Sequence, residues 1–368
     1  MEINSLKMIS FRNHEKTNID FNSGLTVLWG KNGSGKTSIL EAIHSLSIGK
    51  SFKTNNKKEL IKEGDVGFYL KGVFKNERNE KNTVSFSQNC YGNKKININK
   101  KEILKRKEML GLNNVVVFSP EEEETTKGPA GERRKYFNRI FSICSPSYLE
   151  SLLLYNKTLK QRNTLLKSKK QKTEALGAWS EPMAIFGEKL WKERNNKFKE
   201  IRKIFKKTAK TFDNNLEIDI KYKTTIKNKN EIIKELCKNQ EADIKRGFTS
   251  YGPHRDEILF FWKNKIIRKH GSQGEHKLFL ALLKITEYIY ISKKTKTTPV
   301  FLIDDMFASL DKERSKKILS FIGGLRGLSA RLPQTIITTT DAIDIKKQGF
   351  YNGNTNITKY QLKQNGIA

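Results

Sequence analysis

The chain has 368 residues, with 71 Lys and Arg against 39 Asp and Glu, so its formal net charge is +32 at pH 7. This length allows a large core and two or three lobes. The sequence has no run of about eighteen apolar residues and no signal-peptide pattern, which argues against membrane-spanning and secreted classes. Its cysteines, at positions 90, 144 and 237, are odd in number and widely spaced. They disfavour a disulfide framework or a zinc site, and a reducing cytoplasm fits them.

The positive charge has two interpretations. It favours a polyanionic partner such as nucleic acid. The abundance of Lys, Asn and Ile also fits the codon bias of an AT-rich genome. Residues 151–240 hold 23 Lys and Arg against 10 Asp and Glu, a net charge of +13 and more than an even spread would give.

Residues 1–118 are predicted to be mostly β-strand. Apolar or alternating segments follow one another closely: TNIDF, VGFYLKGVF, TVSFSQ, KKININ and NNVVVFSP. Such closely spaced strands predict an antiparallel layer beside the strand at residues 25–29.

The octet GKNGSGKT fits the phosphate-loop pattern G-x-x-x-x-G-K-[ST] and lies between a short apolar strand and a helical pattern. Backbone N–H groups of such a loop point at phosphate oxygens, and the helix start adds partial positive charge. Lys36 is predicted to reach the β- and γ-phosphates of ATP or GTP, and Thr37 to ligate Mg²⁺. The predicted nucleotide contacts are Gly30, Lys31, Asn32, Gly33, Ser34, Gly35, Lys36 and Thr37.

Residues 148–212 are predicted to form two antiparallel helices. An apolar stripe with helical spacing runs from Trp179 to Phe212 on a lysine-rich segment, and a similar stripe precedes it. The stripe is interpreted as core. The lysines on the other face are either solvated surface or a nucleic-acid contact.

The triplet Ser272, Gln273 and Gly274 opens another predicted helix. A Ser-x-Gly at a helix N-terminus is an anion site or an ordinary N-cap. Both interpretations stay open for the triplet alone.

A second nucleotide motif lies in TPVFLIDDMFASLD, where an apolar strand ends in two acids. Asp304 is predicted to hold Mg²⁺ through water, and Asp305 to polarise the attacking water as a general base. A strand that simply ends in acidic turn residues is the alternative. The later segment QTIITTTD predicts another buried strand. The phosphate loop, the Ser-x-Gly, the two acids and Ser309–Asp311 together indicate the ABC class of ATPases, whose ATP site is completed by dimerisation.

The sequence resembles the RecF family of bacterial recombination and replication-repair proteins nearly end to end. The motifs that carry the resemblance are FRNHEKTNIDF, GKSFKT, FSPEE, GERRKYFNR, YGPHRDE, GSQGEHK and IDDMFASLD. The resemblance implies an ATP-dependent DNA-binding protein that forms a homodimer with ATP and loads recombinase at single-strand gaps with RecO and RecR. It also implies that Ser272, Gln273 and Gly274 contact the nucleotide held by the partner.

Two sites depart from the family pattern. The run Glu121–Glu124 stands where the family has apolar residues, and Asn138 replaces a usual Asp, which puts the partner contacts of this segment in doubt. Two further positions predict slow hydrolysis. Asp305 is one methylene shorter than the Glu of transport-type ATPases, and Thr340 is expected where they have a His.

Three other classes of ATPase share some of these motifs. A transporter ATPase subunit would need a membrane partner and an LSGGQ-type signature. An ATPase fused to a nuclease would need an acidic cluster after Thr340. An SMC-like chromosome protein would need long coiled coils, and no such repeat is present.

The predicted fold is an α/β ABC-type ATPase head with ATP and Mg²⁺ as its ligands. Residues 1–118 and 293–368 are expected to form the sheet lobe with the phosphate loop, and residues 119–292 a mainly helical lobe with the signature.

Overall fold

The computed structural model describes residues 1–168, 173–224, 227–305, 312–324, 333–340, 357–363 and 366–367. The strands are β1 (Glu2–Phe11), β2 (His14–Asp20), β3 (Leu25–Trp29), β4 (Gly67–Lys75), β5 (Lys81–Asn89), β6 (Lys94–Ile98), β7 (Lys101–Glu102), β8 (Val115–Phe118), β9 (Ile218–Lys223), β10 (Glu257–Trp262), β11 (Lys265–Ile266), β12 (Val300–Asp304), β13 (Thr335–Thr339), β14 (Ile357–Lys363) and β15 (Gly366–Ile367).

The helices are α1 (Lys36–Ile48), α2 (Glu124–Lys127), α3 (Ala130–Cys144), α4 (Pro146–Lys167), α5 (Thr173–Phe212), α6 (Lys229–Lys238), α7 (Gln240–Arg246), α8 (Ile267–His270), α9 (Gln273–Thr295) and α10 (Lys312–Gly323). Short 3₁₀ helices lie at Lys57–Leu60, Arg106–Met109, Pro120–Glu123 and Pro253–Arg255. None of the helices formed by the described residues is long and apolar enough to cross a membrane.

Two six-stranded sheets carry the predicted nucleotide motifs and the residues that pack around them. The first has the order β2-β1-β4-β5-β6-β7, and its strand pairs are antiparallel. The second has the order β15-β14-β3-β13-β12-β8, with parallel pairing from β14 to β8. The predicted antiparallel layer beside the phosphate-loop strand is therefore confirmed for β1, β2 and β4 to β7. The segment NNVVVFSP, predicted to belong to the same layer, instead forms β8, which pairs in parallel with β12.

Helix α1 packs between these two sheets. One buried cluster joins its apolar residues Ile39, Leu40, Ile43 and Leu46 to residues of β1, β4, β3 and β12. Full burial of each such side chain stabilises the fold by roughly 1.5–3 kcal/mol. The apolar spacing that predicted this helix thus reflects burial on both sides, and the burial fixes the helix that follows the phosphate loop.

The helical region has the predicted antiparallel pair. Tyr155 of α4 contacts Gly187 of α5, while Ser147, nearer the start of α4, donates a hydrogen bond to Glu193, further along α5. The stripe on α5 is core, since Leu190, Phe198 and other stripe members are buried. A small sheet of order β11-β10-β9 completes this region.

Contacts divide the chain into two compact units, residues 1–123 with 272–368, and residues 124–271. The second boundary differs from the expected one at 292/293, because α9 belongs with the sheets. Its residues from His276 to Ile291 are buried, and it packs on β8 and α10. A helix pattern alone does not reveal which neighbour buries it.

Candidate functional site

The predicted motifs meet at one end of the parallel sheet. In this sheet β13 lies between β3 and β12, so the chain segments that leave these strands are neighbours. The carboxyl ends of parallel strands form the usual ligand crevice of α/β sheets. The phosphate loop, Asp304 and Asp305 all lie there.

Two loop glycines occupy positions that no other residue fits. Gly30 has φ of 153°, and a Cβ added to it would lie 2.4 Å from the carbonyl oxygen of Leu362. Gly35 has φ of 91°, and its Cβ would lie 2.3 Å from the His14 ring. Both positions combine positive φ with close packing, so the tight curl of the loop requires glycine.

Lys36 begins α1, and its ammonium lies over the loop. Its Nζ donates hydrogen bonds of 2.7 Å to the Gly30 carbonyl and 2.9 Å to the Lys31 carbonyl. Burial lowers the pKa of Lys36, while the negative charges of Asp305 and Asp304 oppose that shift. The side chain is therefore a buried cation close to two acids and to the loop that would carry phosphate.

Asp304 is held by two hydroxyl groups. Thr37 Oγ1 donates a 2.9 Å hydrogen bond to Asp304 Oδ1, and Thr338 Oγ1 donates one of 2.7 Å to the same oxygen. Burial raises the pKa of Asp304, these two hydrogen bonds lower it, and the charges of Glu121 and Asp305 add to the increase. The pairing brings together the two predicted Mg²⁺ ligands from opposite ends of the sequence.

Asp305 has an unusual backbone conformation. Its φ is 38°, in the left-handed region that non-glycine residues rarely adopt, and its N–H donates a 3.0 Å hydrogen bond to Thr338 Oγ1. Such strain persists where surrounding contacts fix it and is concentrated at functional sites. Burial raises the pKa of Asp305, and the nearby charge of Lys36 opposes the increase.

A cleft of about 810 Å³ opens over these groups, a size within the rough 300–1,000 Å³ range of ligand pockets. Its lining comprises Arg12, Asn13, Asn32, Gly33, Gly35, Lys36, Thr37, Ser38, Lys53, Glu59, Ile61, Lys62, Glu63, Asp304, Asp305 and Thr338. The lining thus joins both predicted nucleotide motifs to residues of the antiparallel sheet and the segment before β4. Sequence reasoning assigned these additional residues no role.

Residues between β1 and β2 support the phosphate loop. Asn13 Nδ2 donates a 2.9 Å hydrogen bond to the Gly33 carbonyl. His14 Nε2 lies 3.0 Å from the Gly35 carbonyl, and its Nδ1 lies 2.9 Å from Thr17 Oγ1. The carbonyl only accepts, so Nε2 carries the proton and Nδ1 accepts from the threonine. Burial lowers the pKa of His14, which is consistent with this neutral ring.

Two sequence motifs converge on α1. Arg12 forms a bidentate pair with Glu41, at 2.8 and 2.7 Å, and Ser51 donates a hydrogen bond to the same carboxylate. Glu41 is 1% exposed, so the pair satisfies a buried charge that would otherwise be costly. FRNH and GKSFKT therefore act together on the helix that begins with Lys36.

The comparisons with known proteins agree with this site. A sequence profile described as RecF/RecN/SMC N terminal domain matches residues 2–364. The DNA replication and repair protein RecF of Clostridium tetani is 36% identical over 357 residues, which cover 94% of this chain and 95% of that protein. The RecF protein of Clostridium novyi is 35% identical over 355 residues, with the same shares covered. The chain belongs to the RecF family.

Solved structures confirm the ABC-type ATPase head. The recombination mediator protein RecF with ATP, in the RecFOR pathway, gives a TM-score of 0.87 and 28% identity, with 100% of this chain and 96% of that chain covered. The corresponding structure with ATPrS gives a TM-score of 0.85 and 28% identity, with 100% and 97% covered. An Smc head bound to the C-winged helix domain of ScpA is 17% identical with a TM-score of 0.56, which shows only a shared fold.

The triplet Ser272, Gln273 and Gly274, which is the candidate ABC signature motif, lies outside the lining of this cleft. Ser272 is the N-cap of α9, and its Oγ accepts a 3.3 Å hydrogen bond from the Glu275 N–H. The Glu275 carboxylate accepts a 2.8 Å hydrogen bond from the Ser272 N–H. This is a capping box. Within a single chain, Ser272 therefore acts as the N-cap of α9. Gly274 lies against Arg314, since an added Cβ would be 2.9 Å from its Nη1. The contact of Ser272, Gln273 and Gly274 with a partner's nucleotide stays a prediction.

The threonine next to the acids is Thr338, and the expectation that Thr340 stands in place of the transport-type His stays a prediction. The strand register pairs Asp304 with Thr338, and β13 ends at Thr339. Thr340 follows the strand and is not among the lining residues. The predicted segment Ser309–Asp311 falls outside the described residues.

The two departures from the RecF pattern have partners within the chain. Glu122 accepts a hydrogen bond from Lys284, and Glu123 lies 3.8 Å from Lys277, both on α9. Asn138 Oδ1 accepts a 2.6 Å hydrogen bond from Tyr148. The acidic run is therefore held by lysines of α9 and supports the helix that follows the signature.

Proposed function

We propose that this protein is an ATP-dependent DNA-binding protein of DNA replication and recombinational repair. It forms an ATP-bridged homodimer and helps to load recombinase at single-strand gaps together with RecO and RecR. A cytoplasmic location is part of this proposal. The observation that carries it is the meeting of the phosphate loop with Asp304 and Asp305 in one cleft, in a chain of the RecF family.

The residues of the cleft fit ATP and Mg²⁺. The phosphate loop offers backbone N–H groups and the Lys36 ammonium to a triphosphate. Thr37 and Asp304 offer a hydroxyl and a carboxylate whose oxygens are 2.9 Å apart, and oxygen ligands are those that Mg²⁺ prefers. The ion would neutralise phosphate charge between these two side chains.

Hydrolysis is proposed to be slow. Asp305 is the candidate general base, but its side chain is one methylene shorter than the Glu of transport-type ATPases, which favours slow hydrolysis. Thr340 is expected where transport-type ATPases have a His, and a threonine lacks the imidazole that acts at the γ-phosphate. ATP then acts as a switch that closes a dimer more than as a fuel.

The dimer is proposed because the signature is separate from the chain's own cleft. The N-terminus of α9 carries a partial positive charge from the helix dipole. Ser272 and Gln273 are exposed there. In the dimer, the γ-phosphate of the ATP bound by the second subunit would contact the N-terminus of α9. The phosphate loop of the first subunit would hold that subunit's own ATP.

DNA binding with and without ATP tests this function. Labelled gapped DNA and blunt duplex are titrated with the protein across about 50–300 mM salt. Each neutralised phosphate adds a slope of about −0.9 in log K against log salt. A dimer doubles the available contacts, so we expect tighter binding and a slope steeper by several units with ATP. Equal affinities and slopes under both conditions would refute the switch.

A further inference from the structure

The edge of the antiparallel sheet carries a dense positive surface. Residues 94–107 contain seven Lys and Arg and a single acid, Glu102. All seven basic side chains are exposed, and they lie on β6, on β7, in the 3₁₀ helix that follows, or directly before β7 or this helix. We call this surface the basic rim: Lys94, Lys95, Lys100, Lys101, Lys105, Arg106 and Lys107.

The rim concentrates like charges at the C-terminus of α1. Lys94 Nζ donates a 2.8 Å hydrogen bond to the Gly49 carbonyl and lies 4.7 Å from the centre of the Phe86 ring. Arg106 covers the same glycine, since a Cβ added there would lie 2.9 Å from Arg106 Cγ. Partial burial, followed by the charges of Arg106 and Lys57, lowers the pKa of Lys94 to about 8.

Helix capping explains only part of this arrangement. A cation at the C-terminus of a helix is stabilised by the helix dipole, which accounts for Lys94. It does not account for the other exposed cations of the rim. Among the residues that the structure describes, the only ion pair within the rim is Lys95 with Glu102, at 3.2 Å.

In the lysine-rich helices of the other unit, several basic side chains form ion pairs with acidic residues. Arg202 and Lys206 both pair with Asp219, and Lys229 pairs with Glu181. Asp219 and Glu181 are already counted in the net charge of +13, so these pairs do not reduce it, but that charge is spread over 90 residues, against a net charge of +6 in the 14 residues 94–107. The rim has the larger unneutralised charge for its length.

Exposed apolar side chains accompany the rim. Tyr91 is 85% exposed just before β6, and Leu104 is 91% exposed between Lys101 and Lys105. An exposed aromatic ring beside cations is a feature of surfaces that contact both the bases and the phosphates of nucleic acid.

We propose that the basic rim is a DNA-binding surface of this protein, which contacts backbone phosphates without reading sequence. The inference rests on the proposed function and names the surface that meets the DNA. Strand β6 spans about 13 Å from Lys94 to Ile98, close to four base pairs at about 3.4 Å each. Helix α1 begins at the phosphate loop and ends at Gly49, so it connects the nucleotide cleft to the rim.

A charge-removal variant with a matched control tests the rim. The rim variant replaces Lys100, Lys101, Lys105 and Lys107 by Gln and leaves Lys94 in place. The control replaces Lys199, Lys203, Lys207 and Lys210, exposed lysines of α5, by Gln. Both full-length proteins lose four charges, and both are titrated with labelled duplex DNA in the presence of ATP.

We expect the rim variant to bind at least about tenfold more weakly near 100 mM salt, with a salt slope shallower by about two to four units. The control should stay within about twofold of the wild type. Equal losses in both variants, or a larger loss in the control, would overturn the inference. A wild-type protein that does not bind DNA would instead refute the proposed function itself.

Lys57→Glu separates binding from folding. The new carboxylate would lie among Lys94 and Arg106, so the thermal unfolding midpoint should rise while DNA affinity falls severalfold. A structural defect would lower both quantities. Unchanged DNA affinity together with a raised unfolding midpoint would show that the charges around Lys94 affect only stability. That result would contradict the inference.

Discussion

Thr338 offers the sharpest test of how the cleft holds Asp304. Its hydroxyl donates to Asp304 Oδ1 at 2.7 Å and accepts from the Asp305 N–H at 3.0 Å, and the residue is 1% exposed. Thr338→Val keeps the shape of the side chain and removes both hydrogen bonds. Asp304 then retains only the hydrogen bond from the Thr37 hydroxyl, so its orientation is less tightly fixed.

The magnitude follows from these contacts. A hydrogen bond to a charged group contributes about 1.5–3 kcal/mol, and a buried N–H left without a partner costs about 1–3 kcal/mol. The added apolar methyl group offsets part of this loss, so we expect Thr338→Val to lower the free energy of unfolding by about 2 kcal/mol. Removing a partner that orients a metal ligand typically weakens metal binding by about 10- to 100-fold.

The assay measures binding of a fluorescent ATP analogue as Mg²⁺ is titrated, and urea unfolding is followed in parallel. Thr338→Val should raise the Mg²⁺ concentration at half-saturation by at least about tenfold. Thr339→Val is the matched control, because successive side chains on β13 point to opposite faces of the sheet. An unchanged Mg²⁺ midpoint in Thr338→Val would refute the role of Thr338 in positioning Asp304, whatever happens to stability.

Four further outcomes are expected. Lys36→Ala should abolish ATP binding, because the loop loses its buried cation, and unchanged affinity for a fluorescent analogue would contradict the phosphate-loop assignment. Asp305→Asn should keep ATP binding, stop hydrolysis and accumulate a dimer, whereas a monomer in size-exclusion chromatography with ATP would disprove the proposed ATP-bridged dimer. Ser272→Arg should bind ATP yet stay monomeric, and normal ATP-dependent dimers would leave Ser272 as an N-cap only. Stability should fall as the pH drops from 6.5 towards 4, because burial lowers the pKa of His254 to about 4 and the unfolded chain takes up the proton first. His254→Gln should flatten that part of the urea-unfolding profile, and an unaltered profile would count against this origin.

The local motifs of the cleft were predictable because each needs only neighbouring residues. Gly30 to Thr37 specify a turn and a helix start, and Val300 to Asp304 specify a buried strand that ends in an acid. Apolar runs and spacing therefore located both halves of the site. The structure explains why the two halves meet, since β3, β13 and β12 are neighbouring parallel strands whose carboxyl ends lie at one edge of the sheet.

What the sequence did not reveal depends on contacts between distant residues. Asn13 and His14 support the phosphate loop through backbone carbonyls, and carbonyls leave no residue-specific signal in the sequence. Thr338 lies beside Asp304 because of a strand register, which a run of three threonines cannot specify. The sequence also did not show to which unit α9 belongs, because its apolar side chains could pack against either a sheet or another helix.

The placement of α1 gives a physical reason why nucleotide and DNA binding could depend on each other. Its first residue, Lys36, contacts the phosphate loop, and its C-cap, Gly49, accepts from Lys94 of the basic rim. Between these ends Glu41 is tied to Arg12, which also lines the cleft. A 13-residue helix is about 20 Å long and buried between two sheets, so it shifts as a unit rather than bending. Any movement of the loop on nucleotide binding would therefore reach the rim within one compact unit. Under the proposed function, ATP would therefore alter the proposed DNA-binding surface of each subunit in addition to pairing two subunits.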